Sequence, residues 1–293
     1  MAKRMYRLCM EGIVCACGAS ALELYRSSKR LIPTLLDKPR TGKVAGLMVP
    51  PRQFLEDDMT ARGVAKQPYH VLVDGNHGYN PRRDIHAVAC YHPLPPRSLI
   101  KIDKGFWVTS PELTFIQICA DEDLSDFDII CLGYELCGTY VLDDSWDGLT
   151  CIDEPLTSTE KIGRLINSIH RVPGIKRARN LIKHVRDLSN SPMETILAML
   201  VSLPTTKGGL GLGPISLNHP VATPVGQRRV DIGFPRQRVG LEYQGKEFHS
   251  IEAVGRDARR QNKIVGSGFT ILNVWYEDLI DEHLFQQLVT DLF

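Results

Sequence analysis

The chain has 293 residues, 43% of them hydrophobic and 24% charged, enough for one large domain or two medium ones. No run of eighteen apolar residues occurs, so no membrane span is expected, and the basic start MAKRMYRLCMEGIVCACGAS, lacking a convincing apolar core and cleavage pattern, is expected to be native structure rather than a signal peptide. The 8 cysteines are irregularly spaced and contain no Cys-x-x-Cys pair, so buried reduced thiols are expected rather than a zinc site at Cys9, Cys15 and Cys17, in a cytoplasmic protein without a membrane partner.

The near-zero net charge hides two blocks. Residues 101–154 carry 2 Lys/Arg and 13 Asp/Glu, whereas residues 155–265 carry 18 and 8. A polyanionic partner, contact between the blocks, or two solvated faces would each account for this.

In chain order, residues 20–36 read as a helix with Ser20 as cap and Glu23 three residues on. YHVLVDGNHGYN reads as a strand and a Gly/Asn-rich turn, and IHAVACYHPLPPRSLIKIDKGFWVTS as short strands and turns. SPELTFIQICADE starts a helix, with Ser110 as cap and Pro111 at the first position. DFDIICLGYELCGTYVL is a second apolar, partly helical element. A polar stretch over 143–160, broken by Gly148 and Pro155, or the helix that follows it, sets an expected boundary between an α+β recognition or regulatory domain (1–154) and a second domain (155–293). Two helices follow, TSTEKIGRLINSIHRV and IKRARNLIKHVRDLS. Ser191, Pro192 and Glu194 then start a third. TTKGGLGLGPIS reads as turn-rich and lacks the Gly-Lys-Ser/Thr of a phosphate loop. RRVDIGF and RVGLEYQG are strands, EAVGRDARRQNKIVGSG a helix, FTILNVWYEDL a strand and turn, and EHLFQQLVTDLF a final helix. The whole is α/β in class.

The chemistry concentrates in RRVDIGFPRQRVGLEYQGKEFHS. Alternation sets Val239, Leu241 and Tyr243 on one face and Gly240, Glu242 and Gln244 on the other. With PRQ as the turn and pairing centred between Arg236 and Gln237, Asp231 comes beside Glu242. Two carboxylates that close repel unless positive charge lies between them, and an oxygen-only set suits Mg²⁺ or Mn²⁺. The competing explanation is a solvated hairpin whose acids are neutralised by Arg228, Arg229, Arg236 and Arg238.

Together, SPMETILAML, RRVDIGFPRQRVGLEYQGKEFHS and DARRQNKIVGSGFTILNVWYEDL resemble the PD-(D/E)XK nuclease superfamily, and within it the very-short-patch-repair endonuclease-like branch. The likeness covers roughly residues 190–280. It implies a restriction-endonuclease-like mixed sheet flanked by helices and metal-dependent hydrolysis of nucleic-acid phosphodiesters, with DNA the expected substrate. Glu194 matches the family's helical glutamate, Asp231 its aspartate, Glu242 its second acid, and Asp257 and Arg260 the following helix. Gln244 departs from the pattern, standing where the family has lysine. A glutamine holds a water but carries no charge. Lys246, two residues on, is a candidate substitute or a solvated lysine. His249 is a candidate proton donor or phosphate contact, or else a polar loop residue. Arg228, Arg229, Arg259, Arg260 and Lys263 are the candidate backbone contacts to nucleic acid, with an internal Arg–acid network as the alternative role.

The first half resembles, more faintly, N-terminal regions fused to such domains in bacterial proteins, some related to abortive-infection antitoxins. No helix-turn-helix signature accompanies that likeness. It nonetheless implies a second outcome: a nuclease-like fold kept for binding, as an inactive regulator or antitoxin.

Overall fold

Two Ser-Pro pairs start helices, each by the same local chemistry. Ser110 caps α4 (Pro111–Ile118) and accepts from the Leu113 N–H at 3.4 Å; Ser191 caps α8 (Pro192–Ser202) and accepts from the Glu194 N–H at 3.2 Å. The proline at the first position lacks only an N–H that the helix would leave unpaired, and the hydroxyl satisfies another; loss of such a cap costs about 1 kcal/mol. The computed structural model describes residues 12–28, 32–75, 82–144, 148–245 and 261–292.

The chain divides into two units, Met1–Val185 and Arg186–Phe293. Each is α/β, with mixed sheet and flanking helices. In the first, the described strands form a sheet in the order β2-β5-β6-β1-β3-β4: β1 (Val14–Ala16), β2 (Arg40–Thr41), β3 (Tyr69–Asp74), β4 (Ile85–Cys90), β5 (Leu99–Lys101) and β6 (Phe106–Thr109). β1 runs parallel to β6 and β3 parallel to β4, and the other pairings are antiparallel. A small ladder joins β7 (Tyr140–Leu142) to β8 (Leu149–Cys151). The helices are α1 (Gly18–Ser28), α2 (Ile32–Leu36), α3 (Arg52–Thr60), α4 and α5 (Asp126–Cys137). Cys15, Cys17, Cys119 and Cys137 are buried free thiols, as composition predicts. Ser20 is not a cap, because α1 already begins at Gly18. Its hydroxyl instead accepts from the His70 N–H at 2.9 Å and ties the helix to β3.

α6 (Thr159–Ser168) and α7 (Ile175–Leu181), which sequence reading assigned to the second domain, belong to the first unit and pack on α4. Their apolar positions, Ile162, Ile166, Ile175 and Leu181, are buried there. Arg177 strengthens the attachment: Nε donates to Asp126 Oδ1 at 2.8 Å, and the other two nitrogens donate to the Asp121 and Leu124 carbonyls. At this point the acidic and basic blocks meet each other. The division also splits the basic block, and residues 186–293 carry 11 Lys/Arg against 12 Asp/Glu.

The second unit contains a sheet in the order β12-β11-β10-β9. β9 (Ser216–Thr223), β10 (Gly226–Phe234) and β11 (Val239–Gln244) form an antiparallel meander, and β12 (Thr270–Trp275) lies parallel to β11. Residues 261–265 are helical and lie between those two parallel strands in sequence. α8 precedes the sheet; α9 (Tyr276–Ile280) and α10 (Glu282–Asp291) follow it. β9 was not expected from sequence. It runs through Pro220 and lies at the sheet edge, where a residue lacking an N–H is tolerated. Val221, Val230, Ile264 and Phe269 form a buried cluster against which Ile271 packs. Among the described residues no helix is long and apolar enough to cross a membrane.

Candidate active site

The hairpin register centres where the sequence predicts. Phe234 pairs with Val239, Gly233 with Gly240 and Ile232 with Leu241. The ladder then stops, one step short of Asp231 and Glu242. Beyond that point β10 continues with β9 alone, as far as Gly226 opposite Thr223, and β11 continues with β12 alone, as far as Gln244 opposite Trp275. The two central strands therefore part, and Asp231 stands at the fork. Across the fork the Asp231 side chain bridges to β11, its Oδ2 accepting from the Tyr243 N–H at 3.0 Å.

The kink has a counterpart on β9. Asn218 has φ +46°, and the ladder passes from His219 opposite Val230 to Leu217 opposite Ile232 without pairing Asn218 to Asp231. Asn218 instead faces the segment before α8: its Nδ2 donates to the Leu188 carbonyl at 2.6 Å and its Oδ1 accepts from Asn190 Nδ2 at 2.9 Å. Those bonds bring the start of α8, and with it Glu194, toward the fork.

Glu194 closes its own helix terminus. Oε2 accepts from the Asn190 N–H at 3.1 Å and Oε1 from the Ser191 hydroxyl at 3.3 Å. Burial first, and then the negative charge of Asp231, push the Glu194 carboxyl up to about 7 from its ordinary value near 4.5. The two acids are thus electrostatic neighbours, although they lie 37 positions apart in sequence.

Glu242 is buried, at 1% exposure. A carboxylate at that depth needs strong donors or a cation. Gln261 Nε2 donates to Glu242 Oε2 at 2.9 Å and to Asn273 Oδ1 at 2.6 Å, and Gln244 Nε2 donates to the same Asn273 Oδ1 at 2.8 Å. Asn273 is the β12 residue opposite Glu242. Sequence reasoning missed Gln261, Asn273 and Asn218. The available signal was a lone amide inside the apolar strand TILNVW, on the alternation face that Glu242 faces.

The remaining candidates divide by position. Arg228 and Arg229 lie on the part of β10 beyond the fork, opposite Val221 and Pro220; Arg228 is half-buried and Arg229 exposed. Lys263 is exposed on the helical stretch 261–265. Arg238 has φ +58° and serves the far end of the hairpin, where its guanidinium donates to the Ser267 carbonyl and lies 5.7 Å from the centre of the Phe269 ring. Lys246, His249, Asp257, Arg259 and Arg260 lie outside the described residues. Trp275, opposite Gln244, is 48% exposed at the end of β12.

Glu194 and Asp231 are electrostatic neighbours, Asp231 is bonded to the N–H of the residue after Glu242, and each of the three acids accepts a hydrogen bond. Among the described residues no group of three His, Cys, Asp or Glu side chains is spaced to hold a metal ion. No protein-family model, curated protein or solved structure matches the chain.

Proposed function

We propose that the unit Arg186–Phe293 is a restriction-endonuclease-like, PD-(D/E)XK-type module that hydrolyses nucleic-acid phosphodiester bonds, with DNA as substrate and Mg²⁺ or Mn²⁺ as cofactor. The observation that carries the reading is the fork. Two antiparallel strands part at the step where each would contribute an acid, Asp231 and Glu242, while a helix brings a third acid near. The order of elements supports the same reading: helix, antiparallel meander, helical crossover, then a strand parallel to the third.

The donor set suits a hard divalent cation by atom type, although among the described residues no three such side chains are grouped to hold one. Its groups are carboxylate oxygens, and Mg²⁺ is commonly held by one or two carboxylates, with waters and substrate phosphate completing the shell. Asp231 and Glu242 would hold it, with Glu194 bound directly or through water. Burial raises Glu194 first and the charge of Asp231 second, and a bound cation would offset the second. When bound, the cation polarises the phosphate and acidifies the attacking water. The chain's own residues do the rest. The Tyr243 N–H donates to Asp231 and the Gln261 amide to Glu242, and these bonds orient the two acids. Glu194, titrating near neutrality, exchanges a proton at working pH. Arg228 and Arg229 lie on the strand that leaves the fork and are suited to phosphate contacts. In this reading the unit Met1–Val185 serves recognition or regulation.

One observation favours the alternative, a catalytically inactive binding module or antitoxin-like regulator. Gln244 stands at the lysine position, and its amide is taken up in a hydrogen-bond network. Cleavage of mixed DNA and RNA substrates with Mg²⁺ and with Mn²⁺, against an Asp231→Ala control, decides between them. Cation-dependent cleavage lost in the variant is expected. A folded wild type that binds neither ion and cleaves nothing supports the regulator instead.

A further inference from the structure

β9 and β10 run on together past the fork. Five ladder pairs, from His219 opposite Val230 to Thr223 opposite Gly226, form a ribbon that no third strand joins among the described residues. The turn at its tip is closely held. Pro224 suits the first corner, Gly226 takes φ +108°, and the Thr223 hydroxyl donates to the Gly226 carbonyl at 2.6 Å. Cross-strand partners share a face, so the ribbon has two. One face carries Val221 and Val230, buried in a cluster with Ile264 and Phe269, and anchors the ribbon. The other carries Pro220, Ala222, Gln227 and Arg229, all exposed. Residues 219–230 include His219, Arg228 and Arg229 and no Asp or Glu, although the unit as a whole has 11 Lys/Arg against 12 Asp/Glu.

We propose that this ribbon docks in the major groove of duplex DNA and presents Gln227 and Arg229 to the base edges. The inference rests on the nucleic-acid reading above, in its nuclease or its binding form, and names the kind of nucleic acid. Size, charge and chemistry all bear on it. The major groove of B-form DNA, about 12 Å wide, admits a two-stranded ribbon; the major groove of an RNA duplex is too deep and narrow for side chains to read. A basic stretch without carboxylates meets phosphates with attraction alone. Arginine matches the two acceptors of guanine, and glutamine the acceptor and donor of adenine. Gln227 and Arg229 lie two residues apart on one face, about 7 Å along the strand, close to two base-pair steps of about 3.4 Å each. Arg229 thereby moves from the phosphates to the bases, and Arg228, on the anchored face, keeps the phosphate role. A closely held tip has little freedom to lose on docking.

The test is fluorescence anisotropy of the full-length chain on labelled random-sequence duplex DNA, in EDTA so that no cleavage intervenes, with thermal melting to confirm that each variant folds. Two further probes are the same duplex with glucosylated 5-hydroxymethylcytosine, whose sugars fill the major groove, and duplex RNA. Wild type is expected to bind plain duplex DNA about tenfold or more tightly than either. The double variant Gln227→Ala, Arg229→Ala is expected to lose about tenfold on plain duplex DNA and to lose the preference with it. Arg236→Ala removes an exposed positive charge at the β10–β11 turn and should change binding less than threefold. Equal binding of plain and glucosylated duplex by wild type would overturn the inference while leaving nucleic-acid binding in place. A preference for duplex RNA, or equal losses in the ribbon and Arg236 variants, would do the same. A folded wild type that binds none of the probes would remove the nucleic-acid reading, and the inference with it.

Discussion

The two units differ in the donors that meet several of their carboxylates. In the first, the buried carboxylates of Glu135 and Glu112 meet guanidinium groups. Glu135, at 2% exposure, is held by Arg26 through two bonds of 2.8 and 2.6 Å and also accepts from the Leu142 N–H; Glu112 lies 3.7 Å from Arg40 and accepts from the Thr157 hydroxyl. In the second, the donors that reach Asp231, Glu194 and Glu242 from described residues include backbone N–H groups, a hydroxyl and an amide. A guanidinium cancels the charge of its partner, and the pair becomes part of the scaffold. Amide and backbone donors orient a carboxylate and leave its charge in place. Glu194, held by a backbone N–H and a hydroxyl, is pushed up to about 7, first by burial and then by the charge of Asp231.

The largest expected effect tests the second arrangement. Asp231→Asn keeps an oxygen for the Tyr243 N–H but removes the charge. Cleavage should fall by more than about 100-fold, beyond the scale set by outer-shell partners of metal ligands, with the melting temperature little changed. A cleavage assay beside a melt checks this. Retained cleavage would show that the fork is scaffold like the acids of the first unit.

Next in size is a change in the scaffold pair itself. Arg26→Met strands the Glu135 carboxylate in the core and should destabilise the first unit by about 3 kcal/mol, read by denaturant unfolding. Cleavage per folded molecule should not change, because this pair closes on itself.

A smaller effect follows from linkage at Glu194. Its folded value lies above its unfolded one, so between about 4.5 and about 7 the folded form keeps a proton that the unfolded form has lost. Stability therefore declines as pH rises through that window and is level above it. Glu194→Gln should raise stability by on the order of 2 kcal/mol at pH 8 and leave it unchanged at pH 4. Saturating Mn²⁺ should flatten the wild-type slope. Melts across pH, with and without the ion, check both.

The smallest belongs to the first unit. His70 stacks on His86 with ring centres 4.7 Å apart; burial, and then the second ring, lower its titration. A lowered histidine supports the fold above its unfolded value near 6.5, and that support is lost as pH falls through the folded one. His70→Asn should remove this part of the acid sensitivity of the first unit without altering the pH response near 7 that Glu194 sets.

What the sequence determined by itself was local. Ser110-Pro111 and Ser191-Pro192 declare helix starts because the bonds of a cap span three residues. The register of the β10–β11 hairpin followed from a short turn and an alternating pattern, which act across about ten residues. What the tertiary structure decided was non-local. That the ladder stops at Ile232, that Asn218 kinks an edge strand lacking clean alternation and draws in α8, and that Gln261 bridges Glu242 and Asn273 all depend on partners from 12 to 30 positions apart. The assignment of Thr159–Leu181 to the first unit is of the same kind. A polar, glycine-interrupted stretch resembles a linker by composition, but α6 and α7 bury their apolar faces on α4, and Arg177 reaches back 51 positions to Asp126. Composition registers the cost of leaving a segment in water; only the folded chain shows which surface is there to cover it.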